Sequence, residues 1–411
     1  MPRKATPGRA LKQSAQTVRT IWAGRENYLG RSYLPSPIRY KSHMRILLLG
    51  DYSNVHATLA KGLRTLGHKV TVASDGDGWK GYARDIDLRR EGLGARHSAR
   101  YLAKLVKAMA KMRGYDVVQL INPLFLTLRP ERIMPFYRYL RRHNGRVVMG
   151  AFGMDYYWAK ACLDFTTFRY SDFNIGHAYR QCAQNDSEIA EWYNGPKGIL
   201  TQRIAADVDA IVAGLYEYDV AYRRVFPEKL HFIPFPIDLG TAEHIHRSAA
   251  EQQRCVRFFI GIQRSRSEYK GTDIMLRALE RVKRRYPEAC EVVRVENVPF
   301  AQYKQLLCSS DVLLDQLYSY TPAMNALQAM AQGLVVVGGG EPENYDILGC
   351  HDLRPIINVL PSEDDVYQRL CHLVEHRDTL PHLSADSIAY VRRYHDHLAI
   401  AQQYLDLWQS L

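Results

Sequence analysis

The feature that most constrains this chain is an alternation of short apolar runs with helical stretches, begun near its start and taken up again past its middle. RILLL at 45–49 is an apolar run closed by Gly50; a polar loop follows at 51–54, and then the helical pattern HATLAKGLRTLG. Gly67 closes that helix and VTVA at 70–73 makes a second strand, so the opening is a βαβ unit. Such units give parallel strands joined by right-handed crossovers. Strands at 117–121 and 147–150 flank a helix at 131–142, and another strand at 210–213 follows a long aromatic insertion. Two prolines in HFIPFPID (231–238) and a polar stretch to Arg254 then break the pattern. A second alternation runs through strands at 256–263, 291–295, 311–315 and 334–337 and helices at 273–286, 300–309 and 322–332, ending in Gly338, Gly339 and Gly340. The fold class is therefore α/β, with two doubly wound parallel-sheet halves. Ligands of such sheets bind beyond the carboxyl ends of the strands, so a cleft between the halves is the expected active site.

Charge narrows the class further. The formal net charge is +12, which taken globally suggests an anionic partner. Nine basic residues against the single acid Glu26 fall within 1–43, leaving a surplus of only four for the rest. No base-reading motif or clustered basic helix in the body points to nucleic acid. The acid-poor start has three readings: a flexible extension upstream of a second plausible start at Met44, an organellar transit peptide, or a basic arm resting on anionic lipid. Seven cysteines without CxxC spacing fit a reducing compartment better than a disulfide framework. No apolar run approaches the ~20 residues of a spanning helix. A cytoplasmic protein is expected, with peripheral contact at the inner membrane face as an option.

The ordered set of segments resembles a known family: nucleotide-sugar-dependent glycosyltransferases of the GT-B fold, especially the bacterial family 4 type (glycosyl transferase group 1). RILLLGDYSNVHATLAKGLRTLGHKVTVAS resembles the family's first strand, loop and helix, and KLHFIPFPID the segment leading into its second domain. FFIGIQRSRSEYKGTDIMLRAL resembles the second domain's opening, and SSDVLLDQ with NALQAMAQGLVVVGGGEPE its nucleotide-sugar site. The resemblance implies two Rossmann-like domains facing a central cleft. The expected organisation is a basic flexible extension at 1–43, an acceptor-binding domain at 44–236, a linker at 237–255, a donor-binding domain at 256–390, and a C-terminal helix at 391–411 crossing back to the first domain.

A nucleoside diphosphate sugar presents two anionic phosphates, and its leaving group gains charge as the glycosidic bond breaks, so the site needs fixed cations and oriented donors. Matching family positions hold an Arg and a Lys on the diphosphate. Here Lys270 precedes Gly271 at an expected helix start, with Arg264 and Arg266 upstream. A helix starting near Thr321 or Pro322, with Asn325 in its first turn, would aim free N–H groups at the same phosphates. The chain departs from the family where two glutamates are usual: Gln328 stands at the second place, within QAMA, and Tyr320 at the first. A glutamine still hydrogen-bonds a ribose hydroxyl, without charge assistance, and Tyr320 offers a donor or a stacking face to the sugar. Glu341 and Glu343 are the nearest replacement carboxylates, Glu341 being the candidate for contact with the donor sugar.

On the acceptor side, eleven aromatic residues fall between Phe152 and Tyr193, Tyr156, Tyr157 and Trp158 among them. They suit a sugar or lipid-linked acceptor, or equally the packing of a helical insertion. Asn54 lies in the loop after the first strand, near the same side of the cleft. Asp155 follows a strand close to the cleft and, with His56 and Glu341, is a candidate catalytic residue. His56 lies at a helix N-terminus expected to keep it a neutral base. Two mechanisms stand. Retention has the departing phosphate oxygen take the acceptor proton while His56 lines the site; inversion has His56 deprotonate the acceptor. Retention is the favoured outcome. DxD pairs at Asp75/Asp77, Asp85/Asp87 and Asp207/Asp209 arise readily by chance. No metal and no cofactor beyond the donor co-substrate is expected. The expected activity is sugar transfer to a carbohydrate or lipid-linked acceptor, in surface polysaccharide or lipopolysaccharide biosynthesis. A nucleotide-sugar epimerase and a non-catalytic nucleotide-sugar-binding protein are the alternatives.

Overall fold

The computed structural model describes residues 43–241 and 247–411. Apart from His43, the basic extension lies outside the described residues, as does part of the linker. The first half holds β1 (Arg45–Leu49), β2 (Lys69–Ser74), β3 (Ile86–Asp87), β4 (Val117–Leu120) and β5 (Arg146–Ala151). A small antiparallel ribbon, β6 (Asn174–Ile175) and β7 (Ala178–Tyr179), belongs to the aromatic insertion, and β8 (Ala210–Ala213) and β9 (Leu230–Phe232) complete the half. Its sheet is wholly parallel in the order β3-β2-β1-β4-β5-β8-β9. The second half has β10 (Val256–Ile262), β11 (Cys290–Glu296), β12 (Val312–Leu314), β13 (Val335–Gly338) and β14 (Ile357–Asn358) in the parallel order β11-β10-β12-β13-β14.

Helices cover both sheet faces, which is why the central strands are apolar at nearly every position instead of alternating. Ile46 to Leu49 are all buried. The helix Val55–Thr65 shows the complementary pattern: Val55, Leu59 and Leu63 face the core while Lys61 and Arg64 face solvent. On this helix Gly62 permits close approach of the last helix, His397–Ser410, because a Cβ there would collide with the His397 carbonyl oxygen. The C-terminal helix thus packs on the first half.

The order reverses between β1 and β4 in one sheet and between β10 and β12 in the other. Loops after those strands are the ones a doubly wound sheet presents to a ligand. The chain crosses between halves twice, and the crossings lie side by side. Ile237 N donates to His395 O at 2.7 Å, His397 N donates to Ile237 O at 3.1 Å, and Nδ1 of His395 donates to Phe235 O at 2.9 Å.

Candidate active site

In the second half, the loop after β10 carries Arg266 and Lys270. A short helix, Ser267–Lys270, is turned into the next, Thr272–Arg285, through Gly271 at φ +73°, where a Cβ would stand 2.6 Å from Leu317 Cβ. Glycine is required by backbone and neighbour alike. Burial lowers the Lys270 pKa, and the Asp315 carboxylate opposes the shift. Arg266 lies over the Tyr269 ring at 5.1 Å, with its Nε buried and without a hydrogen-bond partner. Among the described residues neither Arg266 nor Lys270 has an ion-pair partner within 4.0 Å, whereas Arg264 pairs with Glu296 at 2.6 Å and is 78% exposed. The structure therefore brings two of the three expected cations together and sends Arg264 to the end of β11.

The loop after β12 faces them. Asn325 donates to Asp315 at 3.1 Å and accepts from the Tyr303 hydroxyl at 3.1 Å. Burial raises the Asp315 pKa, against the Asn325 hydrogen bond and the Lys270 charge. Gln328 lies one turn further along the same helix and is partly exposed. This helix runs Met324–Ala331, so the expected start at Thr321 or Pro322 is corrected: Ala323 is still extended. The N–H groups just ahead of this helix are bonded across the halves. Glu217 of the first half accepts from Tyr320 N at 2.7 Å, from Thr321 N at 3.1 Å and from the Thr321 hydroxyl.

The first half contributes the loop after β1. Ser53 and Asn54 both adopt positive φ (50° and 71°), a strained backbone for residues other than glycine, of the kind that clusters at functional sites. Ser53 N donates to Asp77 at 2.9 Å, and Lys80 pairs with Asp77 at 2.6 Å. Asp51 caps the following helix, accepting from His56 N at 3.0 Å and Ala57 N at 3.2 Å, and burial pushes its pKa up to about 7. His56 is wholly buried, with Nδ1 donating to Gly50 O at 2.7 Å, so Nε2 is the unprotonated nitrogen; it has no hydrogen-bond partner. Its pKa falls to about 4 through burial, against the hydrogen bond to Gly50 O. Trp79 and Tyr82 meet Phe300 edge-on at 5.5 and 5.9 Å, and the Lys80 charge adds to the depression at Lys270, so the β2 loop faces the second half directly.

The aromatic insertion also reaches across. Arg169 donates to Glu341 at 2.8 Å and also binds Glu343, while the Tyr170 hydroxyl donates to Glu341 at 2.6 Å. Asn358 donates to the same carboxylate at 2.9 Å. The Tyr320 hydroxyl accepts from Arg169 N at 2.7 Å, and its ring packs among Phe168, Tyr170 and Tyr216. Asp172 accepts from the Tyr269 hydroxyl at 3.0 Å. Burial pushes the Asp172 pKa up to about 6, opposed by that hydrogen bond and by the charges of Arg180, Arg266 and Lys270. Arg180 in turn donates to the Glu268 and Tyr269 carbonyls at 3.0 and 2.9 Å. A pocket of about 100 Å³ remains between Trp158, Tyr170 and Asp172 on one side and Tyr318 and Tyr320 on the other. That is well under the ~300–1,000 Å³ of typical small-molecule sites, so the halves are closed on one another here.

Asp155 lies apart from this seam. It caps the helix Tyr156–Leu163 through Trp158 N at 3.0 Å and accepts from the buried Tyr222 hydroxyl at 2.8 Å. Tyr156 stacks on Tyr193, and Tyr157 packs against Tyr222 and Phe226; of these three aromatics Trp158 reaches the pocket. The DxD carboxylates are engaged locally: Asp85 with Arg64, Asp87 with Arg84 and Lys104, Asp207 with Tyr137, and Asp209 with Arg141. Among the described residues no group of three or more His, Cys, Asp or Glu converges as a metal site. Sequence reasoning missed Arg169, Asp172 and Glu217. The first two stand in the polar run RYSD inside the aromatic insertion, the one signal that marked them.

No family model matches the chain, and no curated protein matches it in sequence. Solved structures do. Sucrose-phosphate synthase from Thermosynechococcus elongatus is 14% identical with a TM-score of 0.58, over 89% of this chain and 98% of that one. HepE of Anabaena, solved with UDP and glucose, is 13% identical with a TM-score of 0.57, over 90% and 100%. WaaG, a glycosyltransferase involved in lipopolysaccharide biosynthesis, is 12% identical with a TM-score of 0.54, over 88% and 98%. The likeness is one of fold, and with the two parallel sheets it gives this chain the two-domain GT-B architecture.

Proposed function

We propose that the chain is a glycosyltransferase that takes a sugar from a nucleoside diphosphate donor and passes it to a carbohydrate or lipid-linked acceptor in surface polysaccharide or lipopolysaccharide assembly. One observation carries this: Arg266 and Lys270 form a cationic pair without an ion-pair partner among the described residues, beside the strand-order reversal of the second sheet. Two cations left in this state, one of them largely enclosed, suit an incoming dianion, and a diphosphate neutralises both. The GT-B neighbours, one of them solved with UDP and glucose, agree with that donor class.

In this proposal Arg266 and Lys270 take the diphosphate and stabilise the charge that develops on it. Asn325 and Gln328 bind the nucleoside or sugar hydroxyls. Glu341, once released from Arg169, serves the donor sugar, and Tyr320 lines the site. The loop Asp51–Asn54 with Trp158 faces the acceptor. Retention is the outcome we infer, because His56, the base an inverting route requires, is wholly buried. The leaving phosphate oxygen then receives the acceptor proton, and neither metal nor further cofactor takes part.

Thermal-shift titration with UDP, other nucleoside diphosphates and their sugars tests the proposal. Stabilisation of the wild type and its loss in Lys270→Ala are expected. No shift with any donor would end the donor assignment, and an unchanged shift in Lys270→Ala would end the role of Lys270. A chelator should leave turnover intact.

A further inference from the structure

The helix Ala95–Met109 and its flanks carry a feature that sugar transfer does not use. Residues 92–115 contain no acid and six basic residues, Arg96, Arg100, Lys104, Lys107, Lys111 and Arg113. Tyr101, Leu105, Ala108 and Met109 form the buried face. The opposite face is exposed and apolar: Ala95, Ala99, Leu102, Ala103, Val106 and Ala110 recur at helical spacing. Leu93 before the helix is 84% exposed, Leu102 46% and Val106 60%. One position on, Arg96, Arg100, Lys107 and Lys111 repeat the spacing of Ala95, Ala99, Val106 and Ala110, so a row of cations runs alongside the apolar row, about 100° round the helix. These four are exposed and form no ion pair among the described residues, unlike Lys104, which pairs with Asp87 at 2.8 Å.

We propose that this face docks on an anionic lipid surface. An apolar stripe beside a basic row matches the boundary between acyl chains and negatively charged headgroups. The other occupants fit less well. The chain's own residues 1–42 are strongly basic and would meet like charge. A second copy would bring basic rows into the same contact, and a polyphosphate chain has no use for exposed Leu93, Leu102 and Val106. The orientation also suits the cleft. The Tyr101 hydroxyl accepts from Thr127 N at 3.2 Å, and Thr127 reaches Asp75 just past β2, so the helix starts at the end of the sheet where the strands finish. Leu93 therefore lies on the cleft side, and docking brings the cleft mouth close to the headgroups. No described helix is long and apolar enough to cross a membrane, so the contact is peripheral.

Cosedimentation of the full chain with vesicles tests this without donor or acceptor, and so separately from sugar transfer. The wild type should bind vesicles with roughly 30 mol% phosphatidylglycerol and bind pure phosphatidylcholine on the order of tenfold less, with binding weakened by salt. The triple variant Leu93→Ser, Leu102→Ser, Val106→Ser keeps every charge, including those of the N-terminal arm, and should lose on the order of tenfold in binding while its melting temperature stays unchanged. Arg100→Glu with Lys107→Glu should lose a similar amount. Wild-type-like binding by the triple-serine protein would overturn the proposal, leaving the arm or bare electrostatics as the cause. So would absence of wild-type binding at low salt, or a change confined to self-association in sedimentation velocity.

Discussion

Arg169 Nη2 lies 2.8 Å from Glu341 Oε2, an ion pair that joins an insertion of the first half to the helix cap of the second. The Tyr170 hydroxyl shares the carboxylate, so one acidic group clasps the two halves. Glu341→Gln exchanges an acceptor oxygen for a donor beside Arg169 and Asn358. It should lower the melting temperature of the donor-free protein by a few degrees, equivalent to about 1–3 kcal/mol, and lower turnover about tenfold. Unchanged donor affinity and turnover would remove Glu341 from the donor site.

Asp172 brings a negative charge to the neighbourhood of Arg266 and Lys270, where the proposed donor brings two. Asp172→Asn abolishes that competition, so nucleoside diphosphate should bind roughly three- to tenfold tighter. Calorimetric titration of both proteins measures it. Weaker binding in the variant would instead make Asp172 part of the donor site.

His56 separates the two stereochemical routes. Under retention, His56→Gln should lower turnover less than about tenfold, because the residue only lines the site. A general base contributes ~10²–10⁴-fold, so a loss of that size, with an inverted anomer seen by NMR, would favour inversion.

Gly271→Ala places a side chain on a left-handed backbone against Leu317 and Tyr318. The backbone alone costs about 1–2 kcal/mol. The β10 loop should be displaced, and the donor-induced thermal shift should shrink sharply in a protein that still unfolds cooperatively.

Acid stability depends on two buried histidines, His56 and His395, both pushed down to about 4 by burial. The unfolded chain takes up these protons near pH 6.5 and the folded chain near 4, so their contribution is complete above about pH 6.5 and is lost as pH falls toward 4. Asp172, raised to about 6, acts in the opposite direction, because its folded form takes up the proton first. His395→Gln should narrow the gap between urea midpoints at pH 7 and pH 5. An equal gap in wild type and variant would show that His395 is not held neutral.

The legible part of this architecture is local in origin. RILLL, VTVA and the helix between them announce themselves through periodicity, and the β10 loop through Arg266, Lys270 and Gly271 standing close in sequence. Glu217 sits on an ordinary helix, and nothing in YEYDVAYR indicates that its carboxylate meets the N–H groups of Tyr320 and Thr321, more than a hundred residues on. Arg169 and Asp172 were hidden in the same way: an aromatic-rich segment reads as a platform or as packing, and its polar residues acquire a role only when the second half comes against them. Arg264 shows the converse. Proximity in sequence suggested a shared site, but an acidic partner at the end of β11 draws it away.

The side-by-side crossings at Ile237 and His395 have a mechanical consequence. Two chain passages bonded to one another act as a single pivot, and the last helix turns with the first half instead of the second. Under the proposed function, exchanging the internal clasp at Glu341 for a nucleotide would also part the Tyr320 ring from Phe168, Tyr170 and Tyr216, so the work of opening falls on aromatic as well as polar contacts.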